Sequence, residues 1–443
     1  MHVDEEMNFP RLRRPGRRLG RRLGLGLAAV ALPLCAQAAP RVSESVLYAF
    51  GSTDTGAEPW APLVLGADGH LYGTAAMTGP VNAGGQEYLG GYGTVFSLDT
   101  AGAFTLLHSF DPSGPACEGA WPGAGGLLQA TDGSFYGVTV GGGSQLLGTV
   151  YRLDAGGNLQ TLHAFDGSDG ANPWGGVIDG GDGYFYGATA GTYGTVPGAA
   201  DGTLYRIASD GTLSVLYTFG GNGDSAHPLW LLRGRDGNFY GTTGGDAASG
   251  DYGSVFRITP AGVFTTLYAF PDGTDGVAAG LVQGSDGNFY GVRTPGGGIG
   301  VSGAISPCQS SGGGRGQGGT MAGAAATAGG KGSVFRITPA GRMTTLHEFG
   351  GADGADPQGQ LVQGRDGYFY GTTVLGGSAG DGTIFRIGRD GRFTLLYSFQ
   401  GGGDAANPAA ALLEDPDASV FYGTSFRGGG DNIGTVYRVQ LRP

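Results

Sequence analysis

Asp236–Phe270, DGNFYGTTGGDAASGDYGSVFRITPAGVFTTLYAF, reads as three short strands and two connections. The runs FYGTT, GSVFRI and TTLYAF are rich in aromatic and β-branched residues, and glycine or Thr259-Pro260-Ala261-Gly262 separates them. A short apolar piece and an Asp-Gly turn precede each FYG, as in Gly280–Gln283 and Asp286-Gly287 of the next copy. Asp-Gly is strong hairpin chemistry. The unit therefore holds four strands.

The unit recurs seven times. Its core tyrosines are Tyr72, Tyr136, Tyr186, Tyr240, Tyr290, Tyr370 and Tyr422. A period near 50 residues with several strands per copy predicts a propeller rather than a helical solenoid. Adjacent aromatics such as Phe239-Tyr240 put bulk on both faces of a strand. A sheet with one wet face would alternate, whereas blades stacked round an axis bury both faces. The ends agree. Ser45–Phe50 matches a fourth strand and Gly434–Val439 a third, so the N-terminus supplies the strand that the seventh copy lacks. The expected fold is all-β: a seven-bladed β-propeller with four antiparallel strands per blade, its ring closed by the N-terminal strand completing the last blade.

The pattern DGxFYGTT…GTVFRI…G…TLYxF, followed by GxDGAxP, resembles the GloVer tandem repeat of exported bacterial proteins, named after Gloeobacter and Verrucomicrobia. The resemblance covers roughly residues 46–439. It implies export and a repeat fold, and it carries over no activity, cofactor or catalytic residue. Many relatives end in a surface-anchoring or sorting segment; this chain ends at Leu441-Arg442-Pro443.

The 443 residues include 96 glycines and 22 prolines, which here mark tight turns because they recur at fixed places. Residues 1–38 are expected to be a signal peptide: a basic stretch, the apolar run Leu23–Ala36, and Ala36-Gln37-Ala38 as a cleavage site. Arg21-Arg22-Leu23 faintly resembles a twin-arginine signal, so the route stays open. Residues 39–443 would form one propeller domain, with a mobile Gly-rich insertion at 295–331. The leader carries seven arginines and three acids, so the remainder has 18 basic and 34 acidic residues, a net charge of −16. That argues against nucleic acid, whose phosphates need basic patches, and no later run is apolar enough for a transmembrane segment. A monomer is expected, exported from a Gram-negative bacterium to its surface, its periplasm or the medium. Cys117 and Cys308 remain as a disulfide or as free thiols.

All four tryptophans sit where first strands begin, at the rim of the central opening, in copies one to four: Trp60, Trp121, Trp174 and Trp230. Indoles beside carboxylates suit stacking on sugars or other flat ligands, or else they fill gaps between blade tops. The same loops hold Asp54, Asp166, Asp169, Asp224, Asp272, Asp275, Asp353, Asp356 and Asp404, which are turn residues. Ca²⁺ is the one ion they would suit, and no cofactor or metal ligand is assigned. His108, His163 and His347 share a fourth-strand position with Tyr217, Tyr268 and Tyr397, so they read as packing residues. The Arg of FRI is expected to pair with the Asp of an Asp-Gly turn. The sequence points first to an exported, non-catalytic propeller that binds carbohydrate or another extracellular ligand through the tryptophan-bearing face. The alternatives are a polysaccharide-acting enzyme using two loop carboxylates and a structural or scaffolding surface protein.

Overall fold

The computed structural model of the protein describes residues 41–51, 56–77, 80–83, 86–89, 92–111, 118–192, 201–221, 224–245, 250–271, 275–276, 279–295, 331–416 and 419–442. The expected signal peptide, all but the ends of the 295–331 insertion, Cys117, Cys308, Asp54 and Asp272 lie outside these residues.

Each repeat forms a sheet whose strands lie side by side in chain order, all antiparallel. In blade four they are Pro228–Arg233, Phe239–Thr243, Ser254–Ile258 and Phe264–Ala269. Seven such sheets make a seven-bladed β-propeller. Blade seven takes Leu413–Glu414, Val420–Ser425 and Thr435–Arg442 from the C-terminal end, and its fourth strand, Arg41–Ala49, from the N-terminal end. A hairpin of Pro80–Ala83 with Gln86–Leu89, unforeseen from the sequence, interrupts the connection between the second and third strands of blade one.

The repeated residues are the joints. Gly241 of FYG is glycine because a Cβ there would overlap the ring of Phe256 on the neighbouring strand. Tyr240 stacks on Phe289 of blade five with centroids 4.1 Å apart, and the same pairing runs from Tyr72–Phe135 at 4.2 Å to Tyr370–Phe421 at 4.4 Å. Tyr422 completes the circle in a cluster that includes Leu71 of blade one. Such pairs add about 0.5–1.5 kcal/mol each beyond area burial. The Tyr240 hydroxyl donates to Asp236 of the Asp-Gly turn at 2.8 Å, and Tyr422 finds Asp415 at 3.0 Å although blade seven lacks that dipeptide. The tyrosine thus takes much of the role expected of the arginine. Arg152 pairs with Asp132 at 2.9 Å and Arg386 lies 3.7 Å from Asp366, while Arg206 packs over the Tyr184 ring.

A second joint lies at the outer edge. The fourth strand of every blade carries a β-bulge at a leucine, for instance Leu267 between Thr266 and Tyr268. The bulge turns the leucine carbonyl towards the glycine of the next blade's third turn. Gly341, at φ 83°, lies so close that a Cβ would overlap the Leu267 oxygen. Gly237 has nearly the same φ, 80°, with nothing among the described residues within 4 Å of its Cβ position. Gly341→Ala is therefore expected to cost more than Gly237→Ala, with strain of about 1–3 kcal/mol at each and the interblade clash added only at Gly341. Urea unfolding of both variants measures the difference; equal losses would show that the bulge contact contributes nothing.

Candidate functional site

The connection from one blade's fourth strand to the next blade's first carries an A-x-P motif in six blades, with an acid two residues before the alanine in all of these but blade one. Its acid is gripped by the preceding fourth strand. His163 Nε2 lies 2.6 Å from Asp169 and His347 Nε2 2.8 Å from Asp353; Tyr217 donates to Asp224 at 2.7 Å and Tyr397 to Asp404 at 3.1 Å. Histidine and tyrosine exchange here because each offers a polar ring atom to a carboxylate, a bond that the packing reading misses. Asp166 is bound by the amide and hydroxyl of Ser168. These acids are engaged by their own loops and by neighbouring fourth strands. Among the described residues no three His, Cys, Asp or Glu side chains converge as a metal-ligand group.

Residue x of the motif is left-handed in six blades: Glu58 at φ 55°, Trp121 at 57°, Asn172 at 53°, His227 at 60°, Asp356 at 56° and Asn407 at 54°. Its amide is held by the chain just before the third strand, as Trp121 N–H to Tyr92 O and Asn407 N–H to Asp381 O, each 2.7 Å. This bond places both kinds of connection on one face. Asn, Asp and His enter the left-handed region most easily. Glu58 and Trp121 do so at a cost of about 1–3 kcal/mol, so blades one and two hold strained residues on this face.

The four tryptophans come together there. Trp60 and Trp174 belong to blades one and three, yet their ring centroids are 5.9 Å apart. Blades that are not neighbours can meet only near the axis. Blade two leaves room through glycine: a Cβ at Gly123 would lie 2.7 Å from the Trp174 oxygen, and Gly125 N–H donates to that oxygen at 3.3 Å. Trp174 is 4 % exposed and packs with Val140, Ala190 and Leu229; Trp60, Trp121 and Trp230 lie round it, half-buried. Trp121 also lies beside Tyr92, centroids 6.3 Å apart. The Trp60 Nε1–H is buried with no acceptor among the described residues.

Two left-handed residues carry carboxyls with raised pKa. Burial raises Glu58, against the opposing pull of Arg427 at 3.3 Å. Burial likewise raises Asp356, partly offset by the hydrogen bond from Gln358 Nε2 at 2.9 Å. Arg427 and the left-handed conformations were not foreseen from the sequence. The one visible signal was the residue between alanine and proline, which varies in type in six copies while that alanine and that proline do not.

The sequence matches the Gloeobacter/Verrucomicrobia repeat over residues 76–305 and 308–442. No curated protein matches it. Among solved structures, the extracellular domain of a one-component system from B. thetaiotaomicron aligns at TM-score 0.52 and 10 % identity, over 87 % of this chain and 41 % of that one. This chain thus spans less than half the length of that protein. A protein of unknown function from Dyadobacter fermentans aligns at 0.45 and 11 % identity, over 91 % and 100 % of the two chains. A calcium-binding protein, regucalcin, from Agrobacterium tumefaciens aligns at 0.43 and 15 % identity, over 72 % and 90 %. At such identities the likeness to the first shows fold alone. The family match covers most of the chain and includes all seven FYG copies but the first, so the protein belongs to the Gloeobacter/Verrucomicrobia repeat family.

Proposed function

We propose that the protein is an exported, non-catalytic propeller that binds a glycan on its tryptophan-bearing face. The observation that carries this reading is the gathering of three half-buried indoles round a buried fourth, with Trp121 held in a strained backbone conformation. Strain tolerated at a surface site is a pointer to function, and flat indole faces suit sugar rings. The leader-like residues 1–38 support export. Because the cluster holds every tryptophan of the chain, ligand binding should shift intrinsic fluorescence directly.

A glycan array followed by fluorescence titration of the strongest hit tests the reading. Trp121→Ala and Trp230→Ala should each weaken binding about tenfold or more, one decade being 1.4 kcal/mol of lost stacking. A Trp60, Trp121, Trp230 triple alanine variant that binds like the parent would sink it. The raised carboxyls of Glu58 and Asp356 favour one second reading, hydrolysis of the bound glycan. Release of reducing ends during the titration would support that reading over simple binding.

A further inference from the structure

A crevice of about 780 Å³ opens on this same face at the seam between blades six and seven. Asp381 and the Gln400–Gly403 stretch bound it on one side, with Arg427 and Asn432 on the other and Asn407 between them. Here glycines leave it open. A Cβ at Gly402, Gly403 or Gly430 would meet nothing within 4 Å among the described residues. Neither Gly403 nor Gly430 has a positive φ, so neither a left-handed backbone nor a neighbour among the described residues requires glycine at either place. A missing side chain is what close approach of a ligand to backbone needs.

We propose that this crevice binds a neutral saccharide unit, as a polar subsite beside the tryptophan cluster; the proposal rests on the glycan-binding reading and adds a site and a ligand class to it. The crevice alternates acceptors with donors. The Asp381 carboxylate has no hydrogen-bond donor among the described residues. Asn407 uses Nδ2 on Val374 O at 2.9 Å, which leaves its Oδ1 as an acceptor. Asn432 uses Oδ1 on the Gly428 amide at 2.9 Å, which leaves its Nδ2 as a donor. Arg427 gives one nitrogen to Glu58 and keeps further N–H groups. A hydroxyl both donates and accepts, so neighbouring hydroxyls of a sugar match such an array. A phosphate or carboxylate would meet Asp381, and a cation would meet Arg427. The volume falls within the range of small-molecule pockets, about 300–1,000 Å³. Glu58, which holds Arg427, is joined through Pro59 to Trp60, so a chain stacked on the indoles would reach the crevice with its next units.

Isothermal titration of the full chain with maltose, cellobiose, lactose and glucuronate, repeated on Gly403→Leu, Asp381→Leu and Trp121→Ala, tests the site. At least one neutral disaccharide should bind. Gly403→Leu should fill the crevice and weaken binding tenfold or more, with an unchanged melting profile because the site is open to a side chain, and Asp381→Leu should do the same. Loss in Trp121→Ala with parental affinity in both crevice variants overturns the crevice and leaves the tryptophan face standing. Loss in the crevice variants alone supports the crevice and removes the tryptophan face. Tighter binding of glucuronate than of every neutral sugar, or no binding of any sugar by the parent, overturns the proposal.

Discussion

A chain lacking residues 1–49 is expected to lose more stability than any single substitution removes, more than about 4–5 kcal/mol, and to associate. Arg41–Ala49 makes eight register pairs with Thr435–Arg442 across its bulge at Leu47. Without it the Thr435–Arg442 strand becomes a bare edge of unpaired N–H and C=O groups, a template for pairing with another chain. The loss is not confined to one blade. Tyr48 stacks on Phe104 of blade one at 4.3 Å, and the Leu47 carbonyl sits where a Cβ on Gly102 would come within 2.6 Å of it. Removing the strand therefore opens the ring at the seam between blades seven and one. Thermal melts and light scattering give the readout: a lower midpoint and concentration-dependent species for the truncated chain. The peptide RVSESVLYAF, residues 41–50, added in trans should restore the monomer. A truncated chain that stays monomeric at the parental midpoint would show that the strand is not the closure.

That closure was legible because both chain ends carry recognisable repeat pieces. Ring geometry asks the same contact of each blade, so Phe289 and Tyr240 recur with their neighbours' spacing and announce the joint. Contacts that break the symmetry left weaker traces. Trp60 and Trp174 are 114 residues apart, and their meeting depends on what blade two lacks at Gly123 and Gly125. In a chain with 96 glycines, a glycine that opens a crevice looks like one that makes a turn. Gly403 and Gly402 are neighbours in sequence, and only the second has the positive φ that explains glycine without a ligand. The left-handed conformation at Glu58 and Trp121 leaves no mark in residue type, since neither side chain prefers it. His163 and Tyr217 looked interchangeable by bulk, whereas their shared property is a polar ring atom facing an acid.

Glu44→Leu is expected to stabilise the ring, increasingly so as pH rises. Glu44 lies opposite Val439 as Phe264 lies opposite Ile258, a place held in other blades by Phe104, Leu159, Leu213, Met343 and Phe393. There the apolar group packs on the fourth strand of the preceding blade, as Phe264 stacks on Tyr217 at 4.4 Å and Phe393 on His347 at 3.8 Å. In blade seven a carboxyl takes this place. It meets Asp404 and lies near Tyr397 and Tyr437, and its Oε1 is buried with no partner among the described residues. Burial, then the hydrogen bond to Asp404 and that residue's charge, push Glu44 from 4.5 up to about 9. The folded state thus holds a proton that the unfolded chain releases above about pH 4.5. Stability from this group is complete below that value, falls as pH rises, and is gone once Glu44 itself ionises near pH 9. Leucine removes the titration and restores apolar filling, a gain of about 1–3 kcal/mol at pH 8. This is well below a full conversion of the shift, because the carboxyl is still partly within reach of solvent. The gain should shrink towards pH 5. Glu44→Gln, which keeps the size and cannot ionise, should flatten the pH dependence with a smaller gain. Urea midpoints of the three proteins between pH 5 and 9 decide the matter. If Glu44→Leu keeps the parental slope of stability against pH, the proton is held elsewhere and the closing strand carries no such penalty.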